Sequence, residues 1–158
     1  TYGDWSSDVC SSDLDSSIEF LFDTVRAVTS LLYSGTLSRC PNIKFIFCHN
    51  GSAVPLLQDR ISSRWHMAKD LFGPLIPKGP LYELKKLYFE CAGSTFPECF
   101  APLLELVNTR QLLVGTDYPW GRMTIKQTLD GLLKQKFSAK DLKLIERENA
   151  LRLFPRFA

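Results

Sequence analysis

Apolar residues recur at Ile18, Leu21, Phe22, Val25, Val28, Leu31 and Leu32, in steps of three and four. That rhythm predicts an amphipathic helix over Ile18 to Tyr33, with Asp15, Ser16 or Ser17 as its cap and Gly35 as its stop. Thr36 to Cys40 adds one short turn before Pro41. The rhythm then changes. Ile43 to Cys48 is apolar except for Lys44, rich in aromatic residues and Ile, and reads as a buried strand. Pro55 suits a first helical position, and Leu56, Leu57, Ile61, Trp65 and Ala68 continue as a helical stripe with Arg60 and Arg64 beside it. Gly73, Pro74, Pro77, Gly79 and Pro80 make Phe72 to Pro80 a loop. A short helix, Leu81 to Lys86, leads to a second strand at Leu87 to Cys91. Ser94 or Thr95 is expected to cap a helix over Pro97 to Val107. Leu112 to Val114, set between polar Thr109-Arg110-Gln111 and Gly115, is a third strand, of the kind buried on both faces. Helices follow at Ile125 to Leu133 and Ala139 to Leu153. The last is opened by an approximate capping box, Ser138-Ala139-Lys140-Asp141, and stopped by Pro155.

The order is α, β, α, β, α, β, α, α. Strands separated by helical patterns predict βαβ units and a parallel sheet, an α/β fold. Three strands are few for a closed sheet. There is no internal repeat, glycine-rich phosphate loop or G-x-S-x-G elbow. A chain of 158 residues, 45% hydrophobic, can bury one sizeable core. The formal net charge of +2, with both signs scattered, argues against a nucleic-acid partner and against a polybasic membrane patch. No apolar run approaches the ~20 residues that span a bilayer. Five cysteines (Cys10, Cys40, Cys48, Cys91, Cys99) without C-x-x-C spacing read as small, mostly buried apolar residues in a reducing compartment, hence a cytoplasmic protein.

The amino terminus does not fit this pattern. Asp4 to Leu14 is rich in Ser and Asp and has no apolar period, which by composition alone is a disordered leader. The string also resembles the in-frame translation of a sequencing-library adapter. Residues 1–14 are therefore expected to be a non-native or disordered leader, residues 15–158 the folded part, and the natural protein longer upstream.

Candidate chemistry comes from two strand ends. His49 follows the first strand and Asp117 follows the third, so a parallel sheet puts both at the same rim, facing a common cavity. A His and an Asp there can act on a metal-bound water or as a proton relay. The plain alternatives are a structural His and an Asp in an Asx-type turn.

The wording around these residues carries more. Glu19-Phe20, Thr24-Val25-Arg26-Ala27-Val28 and Ser34-Gly35 come first. Pro41-Asn42-Ile43-Lys44-Phe45-Ile46-Phe47-Cys48-His49-Asn50-Gly51-Ser52, Pro55 and Arg60-Ile61 follow. Leu87-Tyr88-Phe89-Glu90-Cys91-Ala92, Gly115-Thr116-Asp117-Tyr118-Pro119, Glu148-Asn149-Ala150 and Leu153-Phe154 complete the series. Taken in order, from about Asp15 to the end, it resembles the amidohydrolase-related family, and within it the branch of aminocarboxymuconate-semialdehyde and 6-methylsalicylate decarboxylases.

The resemblance implies the carboxyl-terminal part of a metal-dependent, TIM-type (β/α)₈ barrel, incomplete in this chain. It implies His49 as catalytic acid/base beside the metal and Asp117 as a metal ligand on the last strand, with a catalytic part of its own. It implies Arg60 as a substrate-carboxylate ligand reaching a neighbouring subunit, hence a homodimer in the intact protein. A guanidinium fork suits a carboxylate, although Arg60 could equally be a surface helix charge. The implied ion is divalent, zinc by expectation, and the implied substrate a small aromatic or unsaturated carboxylic acid that loses CO₂ without oxidation. Hydrolysis of a lactone or amide on the same scaffold is the alternative activity. The pattern is broken in two places. Asn50-Gly51-Ser52 replaces the family's small Gly residues after the His. The H-x-H pair and a further metal-binding His are absent, since the only histidines are His49 and His66. His66 sits on a helix beside Trp65 and reads as a surface or packing residue. Asp23 falls mid-helix and Glu90 within a strand, positions that do not favour them as extra ligands. The chain by itself is therefore expected to hold no metal and to be inactive.

Overall fold

The computed structural model describes residues 18–119 and 125–157. The leader and the helix caps expected at Asp15, Ser16 and Ser17 lie outside these residues. Three strands form a parallel sheet in the order β1 (Ile46–Phe47), β2 (Tyr88–Glu90), β3 (Leu112–Leu113). Ile46 pairs with Tyr88 and Phe47 with Phe89; on the other side of β2, Phe89 pairs with Leu112 and Glu90 with Leu113. This is the parallel α/β arrangement that the apolar runs predict.

Helix α1 (Phe20–Tyr33) and the short α2 (Thr36–Arg39) precede β1. Gly35 joins them with φ of +72°, where a left-handed residue ends one helix and starts the next turn. Between β1 and β2 run α3 (Val54–Met67), α4 (Lys69–Phe72) and α5 (Pro80–Leu84). Helix α6 (Pro97–Leu106) connects β2 to β3, and α7 (Ile125–Leu133), α8 (Ala139–Lys143) and α9 (Asn149–Leu153) follow. One core joins them: Val28 and Leu32 from α1, Val54 and Ile61 from α3, Phe89 and Leu112 from the sheet, Phe100 and Leu103 from α6, with Leu132 and Ile145 closing it. Among the described residues no helix is long and apolar enough to cross a membrane.

Several boundaries differ from the sequence expectation, each for a local reason. The first strand pairs only over Ile46–Phe47, because the chain turns sharply at His49; ahead of it, Phe45 still accepts a hydrogen bond from the Tyr88 N–H at 3.0 Å. Neither Ser94 nor Thr95 caps α6. Phe96 stands at that position in extended conformation, because Pro97 supplies the first helical residue. Thr95 is instead buried, and its carbonyl accepts from Gln135 Nε2 at 2.9 Å. The expected helix from Ala139 to Leu153 is interrupted by a wider turn at Leu144–Glu148. There the Ile145 carbonyl accepts from the Val114 N–H of the segment after β3, at 3.2 Å. A carbonyl diverted to the sheet leaves the helical ladder, and the ladder widens around it. The capping box does form: the Ser138 hydroxyl accepts from the Asp141 N–H at 3.1 Å. Hydrogen bonds from Ser138 and then Thr109 hold the Asp141 carboxyl below its ordinary value.

The last helix is also latched to β3. Asn149, fully buried, donates from Nδ2 to the Leu112 carbonyl at 2.7 Å and to the Thr109 carbonyl at 2.8 Å. Asn149→Leu removes both bonds; the Thr109 carbonyl keeps the Leu112 N–H, but the buried Leu112 carbonyl loses its side-chain donor. It should lower unfolding stability by about 1–3 kcal/mol, read as an earlier midpoint in urea denaturation; a loss within ~0.5 kcal/mol, the size of ordinary surface substitutions, would show that the latch carries no weight.

Candidate active site

β1 ends at Phe47, and within two residues the backbone reverses hand. His49, Asn50 and Ser52 take φ of +50°, +55° and +57°, with Gly51 among them at +74°. Each non-glycine residue in that region costs about 1–2 kcal/mol, so the turn persists only because its surroundings hold it. Gly51 N–H donates to the Cys48 carbonyl and Ser52 N–H to the His49 carbonyl, both at 2.8 Å. Asn50, buried, donates from Nδ2 to the Ser94 carbonyl at 2.7 Å. Gly51 must be glycine for a second reason besides its φ. A Cβ there would stand 2.4 Å from Cε1 and 2.6 Å from Cδ1 of Phe89.

The half-buried imidazole of His49 is fixed by one bond. Its Nδ1 lies 2.7 Å from the Ala92 carbonyl oxygen, which can only accept. Nδ1 therefore carries a proton towards that oxygen, and Nε2 is the nitrogen left open. Among the described residues Nε2 has no hydrogen-bond partner.

Glu90, which the sequence pattern places within a strand and does not favour as a ligand, is the last residue of β2. Its Oε1 accepts from the His49 N–H and its Oε2 from the Ala92 N–H, each at 2.9 Å. The carboxylate occupies the space above Gly115, where a Cβ would lie 1.6 Å from Oε2. Nothing in the sequence pattern pairs Glu90 with Gly115; only the register of β2 against β3 brings them together.

Asp117 lies beyond the carboxyl end of β3, exposed, with φ of +58° and a cis peptide following at Tyr118–Pro119. It is on the same rim as His49, two strand spacings across, or about 10 Å. The two carboxylates are felt at Cys48. Partial burial raises this thiol's pKa, a hydrogen bond with Thr24 of α1 opposes the rise, and the charges of Glu90 and then Asp117 add to it. Burial pushes the Cys91 thiol up to about 11. The cysteine expectation needs correction here: all four described cysteines are free, but only Cys91 is buried, and Cys48 is exposed at the rim. Arg60 is exposed on the second turn of α3, and among the described residues its side chain has no ion pair or hydrogen bond. His66 is exposed and meets the Trp65 ring edge-on at 5.0 Å.

Among the described residues no group of three or more His, Cys, Asp or Glu side chains could hold a metal ion. Asp117 offers one carboxylate where zinc takes about three or four protein ligands, so these residues alone do not fit a metal. A cavity of about 280 Å³ opens at the opposite end of the strands, between Lys44, Phe45, Lys86, Tyr88 and Gln111. Neither His49 nor Asp117 borders it.

The shared rim can be checked through Cys48. Asp117→Asn removes a negative charge that disfavours the thiolate, so alkylation of Cys48 near pH 8 should speed up by about twofold. That corresponds to ~0.4 kcal/mol for unit charges ~10 Å apart in water. An unchanged rate would place Asp117 away from the His49 side.

The model of the Amidohydrolase family matches residues 4–156. Decarboxylase yanB of Aspergillus niger is 29% identical over 147 residues, 89% of this chain and 39% of that protein. The 2-amino-3-carboxymuconate-6-semialdehyde decarboxylase of Caenorhabditis elegans is 27% identical over 133 residues, 83% of this chain and 32% of that one. In fold, the chain matches a dihydroxybenzoic acid decarboxylase from a Polaromonas species, solved with bound manganese and 2-nitroresorcinol. The TM-score is 0.74 at 23% identity, over 88% of this chain and 42% of that one. The chain thus spans well under half the length of the proteins it matches, and its three parallel strands with their helices are an incomplete piece of a TIM-type barrel. With the family model matched over nearly all of its length, the chain belongs to the amidohydrolase family.

Proposed function

We propose that this chain is the carboxyl-terminal part of a metal-dependent, non-oxidative decarboxylase acting on an aromatic or unsaturated carboxylic acid. The observation that carries the reading is His49, held at the strand-end rim with Nδ1 committed to the Ala92 carbonyl and Nε2 available. The relatives' names support it, since curated proteins similar to this chain are called decarboxylases. In this reading, Nε2 of the protonated ring delivers a proton to the carbon bearing the carboxylate. The electron pair of the breaking C–C bond returns to the substrate's π system as CO₂ leaves, and His49 recovers its proton from solvent. The ion is divalent. Zinc is the expectation from the resemblance, and manganese is the ion bound in the Polaromonas enzyme. Asp117 contributes one ligand, and the others come from outside the described residues. Arg60, exposed and unpaired among the described residues, binds the carboxylate of the substrate in the neighbouring protomer of a homodimer.

Two measurements test this. The chain as it stands, dialysed against zinc or manganese, should retain no stoichiometric metal and release no CO₂ from aromatic carboxylates. In the uninterrupted parent enzyme CO₂ release should be present, and His49→Asn should cut kcat by about 10²–10⁴-fold. Opening of a lactone or amide without CO₂ release would replace the decarboxylase by a hydrolase. Metal-bound, Asp117-dependent turnover by the chain alone would show that it needs no further ligands.

Arg60 is tested separately in the parent. Arg60→Ala should raise KM for the carboxylate substrate by about 10–100-fold, the worth of a charge-assisted contact. Arg60→Lys should recover little of it, because the planar fork is gone. Near-normal KM in both variants returns Arg60 to the role of a surface charge.

A further inference from the structure

We propose that Glu90 is a positioning residue for His49, holding the imidazole in a single tautomer by clamping the two backbone segments that the ring bridges. The proposal rests on the reading of His49 as the proton-transfer group. Three hydrogen bonds close a ring of contacts. Glu90 Oε1 accepts from the His49 N–H at 2.9 Å, His49 Nδ1–H donates to the Ala92 carbonyl at 2.7 Å, and the Ala92 N–H donates back to Glu90 Oε2 at 2.9 Å. The imidazole is one side of this ring and the carboxylate another. If the carboxylate is lost, the two segments keep the Asn50–Ser94 bond but lose the link between the His49 and Ala92 backbones themselves, and the distance that fixes Nδ1–H is free to open.

The chemistry of the clamp is specific to a carboxylate of this length. Both donors are backbone N–H groups, so both atoms facing them must accept. A glutamine offers one acceptor and turns its NH₂ against the second N–H. An aspartate is shorter by one methylene and cannot reach both from the same backbone. The clamp also works against a load. His49 sits at φ of +50°, and a charge-assisted bond of about 1.5–3 kcal/mol is of the size that keeps one such residue from relaxing. Space for the carboxylate is provided from a third strand end: a Cβ on Gly115 would stand 1.6 Å from Oε2 and 2.7 Å from Cδ. Both carboxylate oxygens are engaged by backbone, and Glu90 joins no group of three metal-ligating side chains among the described residues.

The test reads the ring itself. The protein has two histidines, His49 and the exposed His66, so ¹⁵N-detected ring spectra of the full chain are assigned with one variant, His66→Gln. In the native chain His49 should show the Nδ1–H tautomer with a slowly exchanging ring proton, and a through-hydrogen-bond coupling between its backbone nitrogen and the Glu90 side-chain carbonyl carbon. Glu90→Gln, which keeps one acceptor and opposes the second N–H, should abolish the slow ring proton, leaving His49 a mixture of tautomers. Gly115→Ala should do the same from a different strand by displacing the carboxylate. A folded Glu90→Gln that keeps the slow Nδ1 proton overturns the proposal. Should Glu90→Gln not fold, absence of the coupling in the native chain overturns it instead, and its presence supports it. None of these readouts needs turnover, so they stand apart from the decarboxylase reading. In the parent enzyme, Glu90→Gln should lower kcat by up to about 10²-fold with KM little changed, as for a misplaced catalytic group. A parent that releases no CO₂ while His49 shows the clamp would sink the activity and not the clamp.

Discussion

A polypeptide of L residues resists the left-handed region, and this chain enters it with His49, Asn50, Gly51 and Ser52 in succession. Three of the four are not glycine, a load of roughly 3–6 kcal/mol if each costs its usual share. That is comparable to the whole net stability of many small domains. The remainder of the rim is arranged so that this turn is the lowest available state. Asn50 is tied to the segment after β2 through Ser94, His49 to β2 through Glu90, and Gly51 lies on the Phe89 ring. The turn in turn decides where α3 starts, because Val54 follows at once and packs into the core with no exposure. Strain of this kind at a strand end points to a site, since a structural turn could have used a cheaper backbone.

The sheet explains why the strain can be borne. Parallel strands packed on both faces move little, and Phe89 and Leu112 are completely buried at its centre. Side chains that leave the ends of such strands start from fixed points. The amidohydrolase barrel uses that property, and even the three strands present here carry His49 and Asp117 to one rim while the lysine-lined cavity opens at the other.

Much of this could be read from the sequence because it is written in local patterns. Apolar runs of strand length separated by helical stripes gave the parallel sheet, and strand ends gave the rim shared by His49 and Asp117. What escaped was whatever depends on two distant segments. The strand at Ile43 to Cys48 proved to pair over two residues only, since the pattern of apolar residues does not record a reversal of backbone hand. Ser94 and Thr95 have cap-forming side chains, but Phe96 took the position because Pro97 settled the first helical residue. The last helix widens at Leu144–Glu148 where Ile145 turns a carbonyl to Val114, a contact with no trace in helix periodicity. Glu90 lies within a strand in the sequence pattern, a position that does not favour it as a ligand; its partners, His49 and Ala92, are identifiable only once β1 and β2 are in register.

The middle strand carries two large side chains in a row, Phe89 and Glu90, which leave its two faces in alternation. Each lies where a neighbouring segment has a glycine, Gly51 beside the ring and Gly115 beside the carboxylate. These are two matched pairs of a bulky residue and an empty place, one on either flank of β2. The two differ in firmness: a methyl group at 51 collides with a rigid ring on a backbone of positive φ, and one at 115 pushes aside the end of a flexible carboxylate side chain. Sequence divergence at this rim is therefore ordered in time. The aromatic ring must shrink before a side chain is admitted at 51, whereas a side chain at 115 is admitted once the flexible end of Glu90 swings aside, at the expense of the contacts that its carboxylate makes.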